Sequence, residues 1–298
     1  MIKIYILDLQ FQQKDNAIAA FLVKHENAYI LVETGPYSSF AQLTKEVERC
    51  GIHLSDIRHV FITHIHLDHA GASWALAEQG ATIYLHPFGY AHMANPEKLI
   101  DSARRIYKEQ MDTLWGDMKP VAPERLRTVA HEEIIEIGNL KIKALHTPGH
   151  ANHHIAWQVD EVIFTGDVAG VKIMDGPVVA PCPPPDIDIE KWLKSIELLR
   201  RANAKTFYLT HFGKVENIET HLNELQYSLE QQAHWIKSVM QSGQSIAEIT
   251  QKFDAWAVEQ LKNMGLSSSQ VVSYQLANPA WMSVAGLMRY WEKKMKAV

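Results

Sequence analysis

THIHLDHAG, residues 63–71, sets three imidazoles and a carboxylate within nine positions: His64, His66, Asp68 and His69. The stretch leading into it, RHVFIT at 58–63, carries β-branched and aromatic residues, so the chain arrives as a strand. In an extended segment side chains at i and i+2 point the same way, so His64 and His66 can face one point. Ala70 to Ala77 support a helix, and Asp68 and His69 fall where the chain turns into it. Adjacent residues at a helix start diverge in direction, so these two can serve a second point. Imidazole and carboxylate together suit zinc, iron or manganese.

Three later stretches supply partners. TPGH offers His150 after a strand and a Pro-Gly turn, FTGD offers Asp167 at the end of an apolar strand, and LTH offers His211 at the end of another. Each sits where a strand meets a loop, the usual station of functional residues on a rigid scaffold. One ion needs about four ligands, and two need about seven with one bridging. Five histidines and two aspartates make up such a set.

Around these motifs, short strand-like runs recur through the first 210 residues: IKIYIL, AIAAFLV, AYILVE, HVFIT, TIYLH, EIIEI, LKIKALH, HIAWQV, VIFTGD and TFYLTH. Helical stretches fall between them, around 38–50, 70–79 and 189–202. That alternation predicts sheet layers covered by helices. Residues 88–125 carry no strand signal. There Leu99, Ala103, Ile106, Tyr107, Met111, Leu114 and Trp115 recur at three- and four-residue steps, which predicts one amphipathic helix in an insertion. Its stripe either packs into the core or walls a substrate pocket. From about residue 216 the pattern is wholly helical, anchored by Trp235, Trp256, Trp281 and Trp291, with breaks near SGQS, GLSSS and NP.

The HxHxDH pattern stands complete as His64, His66, Asp68 and His69, and TPGH, TGD and the strand-end histidine follow in order. With those motifs the chain resembles the metallo-β-lactamase fold superfamily over roughly residues 1–215. The resemblance implies an α+β fold, an αβ/βα four-layer sandwich with the site at its edge. Residues 1–215 would form the catalytic domain, with the insertion at about 88–125, and 216–298 a helical C-terminal extension. It also implies a division of labour. His64, His66 and His150 would hold one divalent transition metal; Asp68, His69 and His211 would hold a second, and Asp167 would bridge them. A bridging water or hydroxide would be the nucleophile, with Asp68 catalytic as well as ligating. Zinc is the first expectation, with iron or manganese as alternatives. Glu33, in LVETGP, occupies the place of a family aspartate that holds a ligand histidine by hydrogen bonding. His154 is expected to be a buried, hydrogen-bonded structural histidine.

Composition narrows the partners. With 47% hydrophobic and 21% charged residues the usage is ordinary for a globular protein. A net charge of −5 leaves no broad basic face for nucleic acid. No apolar run reaches ~18 residues, and MIKIYILDLQ reads as a strand, not a signal peptide. Cys50 and Cys182 stand apart and make no disulfide framework. The expectation is a cytoplasmic protein with a small-molecule substrate and no nucleic-acid or membrane partner. Its tail packs on the domain or forms a homodimer contact.

The leading functional expectation is metal-dependent hydrolysis of an ester-like bond, in the branch that includes glyoxalase II and lactonases: a thioester, lactone or small acyl ester. The alternatives are a mononuclear iron persulfide dioxygenase, which would leave ligands idle, and a phosphodiesterase acting on RNA or nucleotides. A metal-bound interaction module is the non-enzymatic alternative. Turnover of a generic ester, lost on chelation, separates it from the enzymes.

Overall fold

The computed structural model describes residues 2–26 and 28–296. Twelve strands among the described residues form two six-stranded sheets. The first holds, in sequence order, β1 (Lys3–Asp8), β2 (Ala19–His25), β3 (Ala28–Val32), β4 (His59–Phe61), β5 (Thr82–Leu85) and β6 (Leu126–Thr128). β1 to β3 pair antiparallel, and β3 to β6 pair parallel. The second sheet holds β7 (Ile134–Ile137), β8 (Leu140–His146), β9 (Ile155–Val159), β10 (Val162–Phe164), β11 (Thr206–Leu209) and β12 (Gly213–Val215), again each beside the next. Only β10 and β11 are parallel in it.

Burial on both faces explains why β2 is apolar from Ala19 to Val23. Ala19, Phe21 and Val23 enter the core between the sheets, whereas Ala20 and Leu22 lie under the helices on the outer face. The inner core also holds Phe61, Trp157, Phe164 and Tyr208. Phe21, Phe164 and Tyr208 meet ring to ring at 5.3–5.5 Å, and Phe61 meets Trp157 edge-on at 5.0 Å.

Helices α1 (Phe40–Arg49), α2 (Leu67–Ala70), α3 (Ser73–Glu78), α4 (Tyr90–Ala94), α5 (Glu97–Tyr107) and α6 (Met111–Leu114) connect the strands of the first sheet. α7 (Ile189–Arg201) lies between β10 and β11. The tail forms α8 (Ile218–Val239), α9 (Ile246–Asn263), α10 (Ser268–Ala277) and α11 (Ala280–Lys296). The result is the four-layer sandwich with a C-terminal helical region. One apolar cluster joins Trp192 and Ile196 of α7 to Leu222 and Leu225 of α8 and to Val284 and Leu287 of α11. The expected helix breaks coincide with caps: Ser245 and Ser267 each form a capping box, with Glu248 and Gln270.

Two local expectations fail. The helix over 70–79 divides into α2, which begins earlier at Leu67, and α3. At the junction Gly71 lies so close to Leu67 that a Cβ would stand 2.4 Å from the Leu67 carbonyl oxygen. There the amides of Thr34 and Ala72 bond to the carbonyls of His69 and Gly35, so the loop after β3 takes the place of a continued helix. The single helix expected in 88–125 is three pieces. Asn95 turns extended before Pro96, and Lys108 takes a left-handed φ of 47°. The stripe is broken with it: Met111 is buried in the core, while Tyr107 and Trp115 are only partly buried.

Candidate metal centre

β8, β10 and β11 run in one direction, as β3 and β4 do in the facing sheet, so their C-terminal ends gather at one edge. His64 and His66 follow β4, and Asp68 and His69 lie in the first turn of α2. His150 follows β8 through Thr147, Pro148 and Gly149. Asp167 stands in a single turn after β10, and His211 lies two residues past β11. Backbone bonds stitch the sheets together at this edge: the Ile155 amide to the Thr63 carbonyl at 2.7 Å, and the Ala19 amide to the Thr210 carbonyl at 2.8 Å.

All seven residues singled out in the sequence converge. His64 Nε2 lies 2.9 Å from His66 Nδ1, which lies 3.1 Å from His150 Nε2. Asp68 Oδ2 lies 3.5 Å from His69 Nε2 and 3.4 Å from His211 Nε2. Asp167 spans both groups, with Oδ2 at 3.3 Å from His150 Nε2 and Oδ1 at 3.3 Å from His69 Nε2 and 3.5 Å from His211 Nε2. Three groups of side chains could each hold an ion: His64, His66 and His150; His64, His69 and Asp167; and Asp68, His69 and His211.

The far side of four rings is tied down. His69 Nδ1 donates to Glu33 Oε1 at 3.0 Å, His150 Nδ1 to the Pro181 carbonyl at 2.9 Å, and His211 Nδ1 to the Ala17 carbonyl at 2.7 Å. Thr63 Oγ1 donates to Glu33 Oε1, so at 3.0 Å from His64 Nδ1 it can only accept. Each Nδ1 therefore carries a proton and each Nε2 faces inward, the atom that a metal takes, in place of a proton where one is held. Glu33 is fully buried and reaches this position from a backbone φ of 66°. His154 is buried as expected, with Nδ1 at 2.8 Å from Thr147 Oγ1 and its ring stacked on His64 at 5.0 Å.

Charge and burial push the groups apart. Burial, reinforced by His150, lowers His66 to about 3, and burial also holds His64 well below the usual imidazole range. Both are neutral bases at ordinary pH. For His69 and His211 burial acts in the same sense but loses to the carboxylates of Asp167 and Asp68, so both rings are raised. Burial would raise Asp68 and Asp167, yet the same histidines lower Asp68 to about 2 and hold Asp167 well below its usual range. This half of the site is ionised carboxylate that demands cations. The donor set meets the demand: His69 Nε2, His211 Nε2 and Asp167 Oδ1 are buried without hydrogen-bond partners. Donor separations of 2.9–3.5 Å are the edge lengths of a coordination shell about 2 Å in radius.

The supports are the part the sequence did not disclose. Thr63 could have been suspected, since it adjoins the motif. The carbonyls of Ala17 and Pro181 carry no sequence signal, because any residue supplies that group.

A two-sheet sandwich with clustered histidines and aspartates at its edge defines a metal-binding hydrolase. The chain belongs to the metallo-beta-lactamase superfamily, whose family model matches residues 14–211. It is 26% identical over 206 residues to a metallo-beta-lactamase fold-containing protein of Sulfurisphaera tokodaii, covering 67% of this chain and 75% of that one. It is 23% identical over 175 residues to an atrochrysone carboxyl ACP thioesterase of Aspergillus fumigatus, covering 56% of this chain and 42% of that one. The crystal structure of a metallo-beta-lactamase family protein from Thermus thermophilus superposes with a TM-score of 0.69 at 18% identity, over 98% of this chain and 94% of the other. That likeness in fold extends through the helical tail. The chain spans three quarters of the archaeal relative but less than half of the fungal thioesterase.

Proposed function

We propose that this protein hydrolyses an ester-like acyl bond, a thioester or lactone foremost, at a dinuclear centre. The observation that carries the reading is the convergence of five inward ring nitrogens and two ionised carboxylates, with four of the rings held from behind. On this reading His64, His66 and His150 would hold one cation and Asp68, His69 and His211 the other, with Asp167 available to both. When bound, two divalent cations, zinc foremost, supply an activated water at neutral pH and polarise the carbonyl under attack.

The residues do the rest. Glu33 and Thr63 keep His69 and His64 in the competent tautomer and orientation. The Asp68 side chain is 21% exposed against 6% for Asp167, so of the two carboxylates it is the one that reaches the open face. It is therefore the group able to accept a hydrogen bond from a water on that face and so orient it, at the oxygen not turned to the histidines. The Tyr107 ring packs edge-on against Trp281 of the tail at 5.7 Å and against Trp115 at 5.0 Å. That aromatic wall, whose Tyr107 phenol is raised by burial first and by the Asp68 carboxylate second, favours a substrate with an apolar arm beside its carbonyl. The thioesterase assignment of the fungal relative agrees with an acyl substrate.

The test is metal analysis of replete protein alongside turnover of a panel of thioesters, lactones and phosphodiesters. Two metals per chain and acyl turnover abolished by chelation are expected. One metal or none, or phosphodiesters as the better substrates, would sink the proposal.

A further inference from the structure

A second concave site lies wholly outside the histidine–aspartate cluster. It is a cavity of about 290 Å³ between α8, α9, α10 and the segment that carries Pro177 to Val179. That volume stands at the small end of ligand sites, which run from about 300 to 1,000 Å³. Phe253 and Trp256 of α9, Tyr227 of α8 and Tyr274 of α10 supply aromatic walls. Two carboxylates, Glu224 and Asp254, stand among them, and among the described residues no Lys, Arg or His lines the cavity.

The walls are built and held. The Tyr274 hydroxyl accepts from the Ile173 amide at 3.1 Å and donates to the Pro177 carbonyl at 2.7 Å, so that ring is fixed. Phe253 and Trp256 pack at 5.3 Å, and Trp235 closes behind both. Asp254 Oδ1 accepts from Gln275 Nε2 at 3.0 Å, which leaves its second oxygen open. Among the described residues the one cation paired with Glu224 is Lys172, with Nζ 3.7 Å from Oε2 in a part-exposed pair. A pair of that kind binds weakly and yields readily to a better-placed cation.

Aromatic faces draw cations through their quadrupoles, and two carboxylates in a lining without Lys, Arg or His, only one of them weakly paired from outside by Lys172, select the same sign. We infer that this cavity binds a small apolar ammonium, an aryl- or alkylamine, independently of the metal centre. An anion of the same shape would meet two like charges, and a neutral molecule would forgo the electrostatic share.

Benzyltrimethylammonium is a suitable probe, since it cannot coordinate a metal, with 3-phenyl-1-propanol as its neutral counterpart. Calorimetric titration of the metal-loaded protein should show the ammonium binding at least tenfold tighter. Ala257 lines the cavity from α9, so Ala257→Phe should fill it and abolish binding. Glu224→Gln with Asp254→Asn keeps the shape and should cost about tenfold for the ammonium while leaving the alcohol unchanged. Should Ala257→Phe fail to fold, this paired variant still decides. Equal affinity for the two probes would mean a merely apolar cavity and would overturn the inference. So would ammonium binding that survives the paired variant.

Discussion

Replacing Glu33 by glutamine exchanges one oxygen of the protein's interior for an NH2 group and should be felt at both metal positions. The carboxylate accepts from His69 Nδ1, Thr63 Oγ1 and, at 3.3 Å, Thr210 Oγ1 on one oxygen and from the Thr63 amide, also at 3.3 Å, on the other. An amide has only one acceptor oxygen. In either orientation its NH2 faces a donor, so one charge-assisted bond is lost, worth about 1.5–3 kcal/mol. Even in the orientation that keeps the amide oxygen on His69 Nδ1 and Thr63 Oγ1, the acceptor has lost its charge, so the grip that fixes the His69 tautomer weakens. Cations held by rings with such a support removed bind about 10- to 100-fold more weakly, or roughly 1.4–2.7 kcal/mol, which agrees with the bond lost. Because Thr63 relays Glu33 to His64 Nδ1, the other cation should weaken as well, by less. Thr63→Val cuts that relay but leaves Glu33 facing His69, so it should weaken the His64 position alone. Competition against a chromophoric chelator reads both affinities, and circular dichroism checks the fold. Glu33→Gln protein that folds normally and binds both cations with unchanged affinity would refute the account of the supports.

Asp167→Asn should lower metal content from two per chain towards one and reduce acyl turnover by several orders of magnitude, measured by elemental analysis and steady-state rates. An unaltered stoichiometry would remove Asp167 as the bridge. His221 is buried, with Nε2 donating to the Ala169 carbonyl at 2.7 Å, and burial chiefly lowers it to about 4. Its folded pKa lies below the unfolded value of about 6.5, so the unfolded chain binds the extra proton. Stability from this residue is therefore complete above about pH 6.5 and is lost as pH falls towards 4, by about 3 kcal/mol. Denaturant titrations at stepped pH should show a shallower acid loss in His221→Gln. Trp157 is fully buried, and its indole donates to the Ile62 carbonyl at 3.0 Å, two residues before His64. Trp157→Ala should cost about 3–5 kcal/mol, visible as a lower denaturation midpoint.

The motif at 63–71 was legible because strand and helix-start geometry converge there on few residues, and the later ligand candidates sit at strand ends that β-branched runs announce. Ten strand-like runs match ten strands. The two that escaped, β6 and β12, read LRT and GKV, too short to show an alternation and, in β6, with only Leu126 partly buried. Neither holds a candidate ligand; each closes an edge. The division at Gly71 and the break at Lys108 escaped for another reason. Both depend on what lies opposite: the first on the loop after β3, the second on the seat that Met111 finds in the core. No helical periodicity records a distant backbone.

Every strand of the first sheet lies before residue 129, and every strand of the second lies after 133. The chain is thus two successive modules joined by one short exposed connection at 130–132, and the seven converging residues are shared four to three between them. Neither module alone owns a complete site, so the centre can assemble only once the two have docked. A cation that binds there binds the native state and not its parts, and at 100 times its dissociation constant it would add about 2.7 kcal/mol to stability. Metal supply would then govern the lifetime of the folded chain as well as its chemistry. A chain opened within 130–132 into two fragments should reassociate more tightly when metal is present.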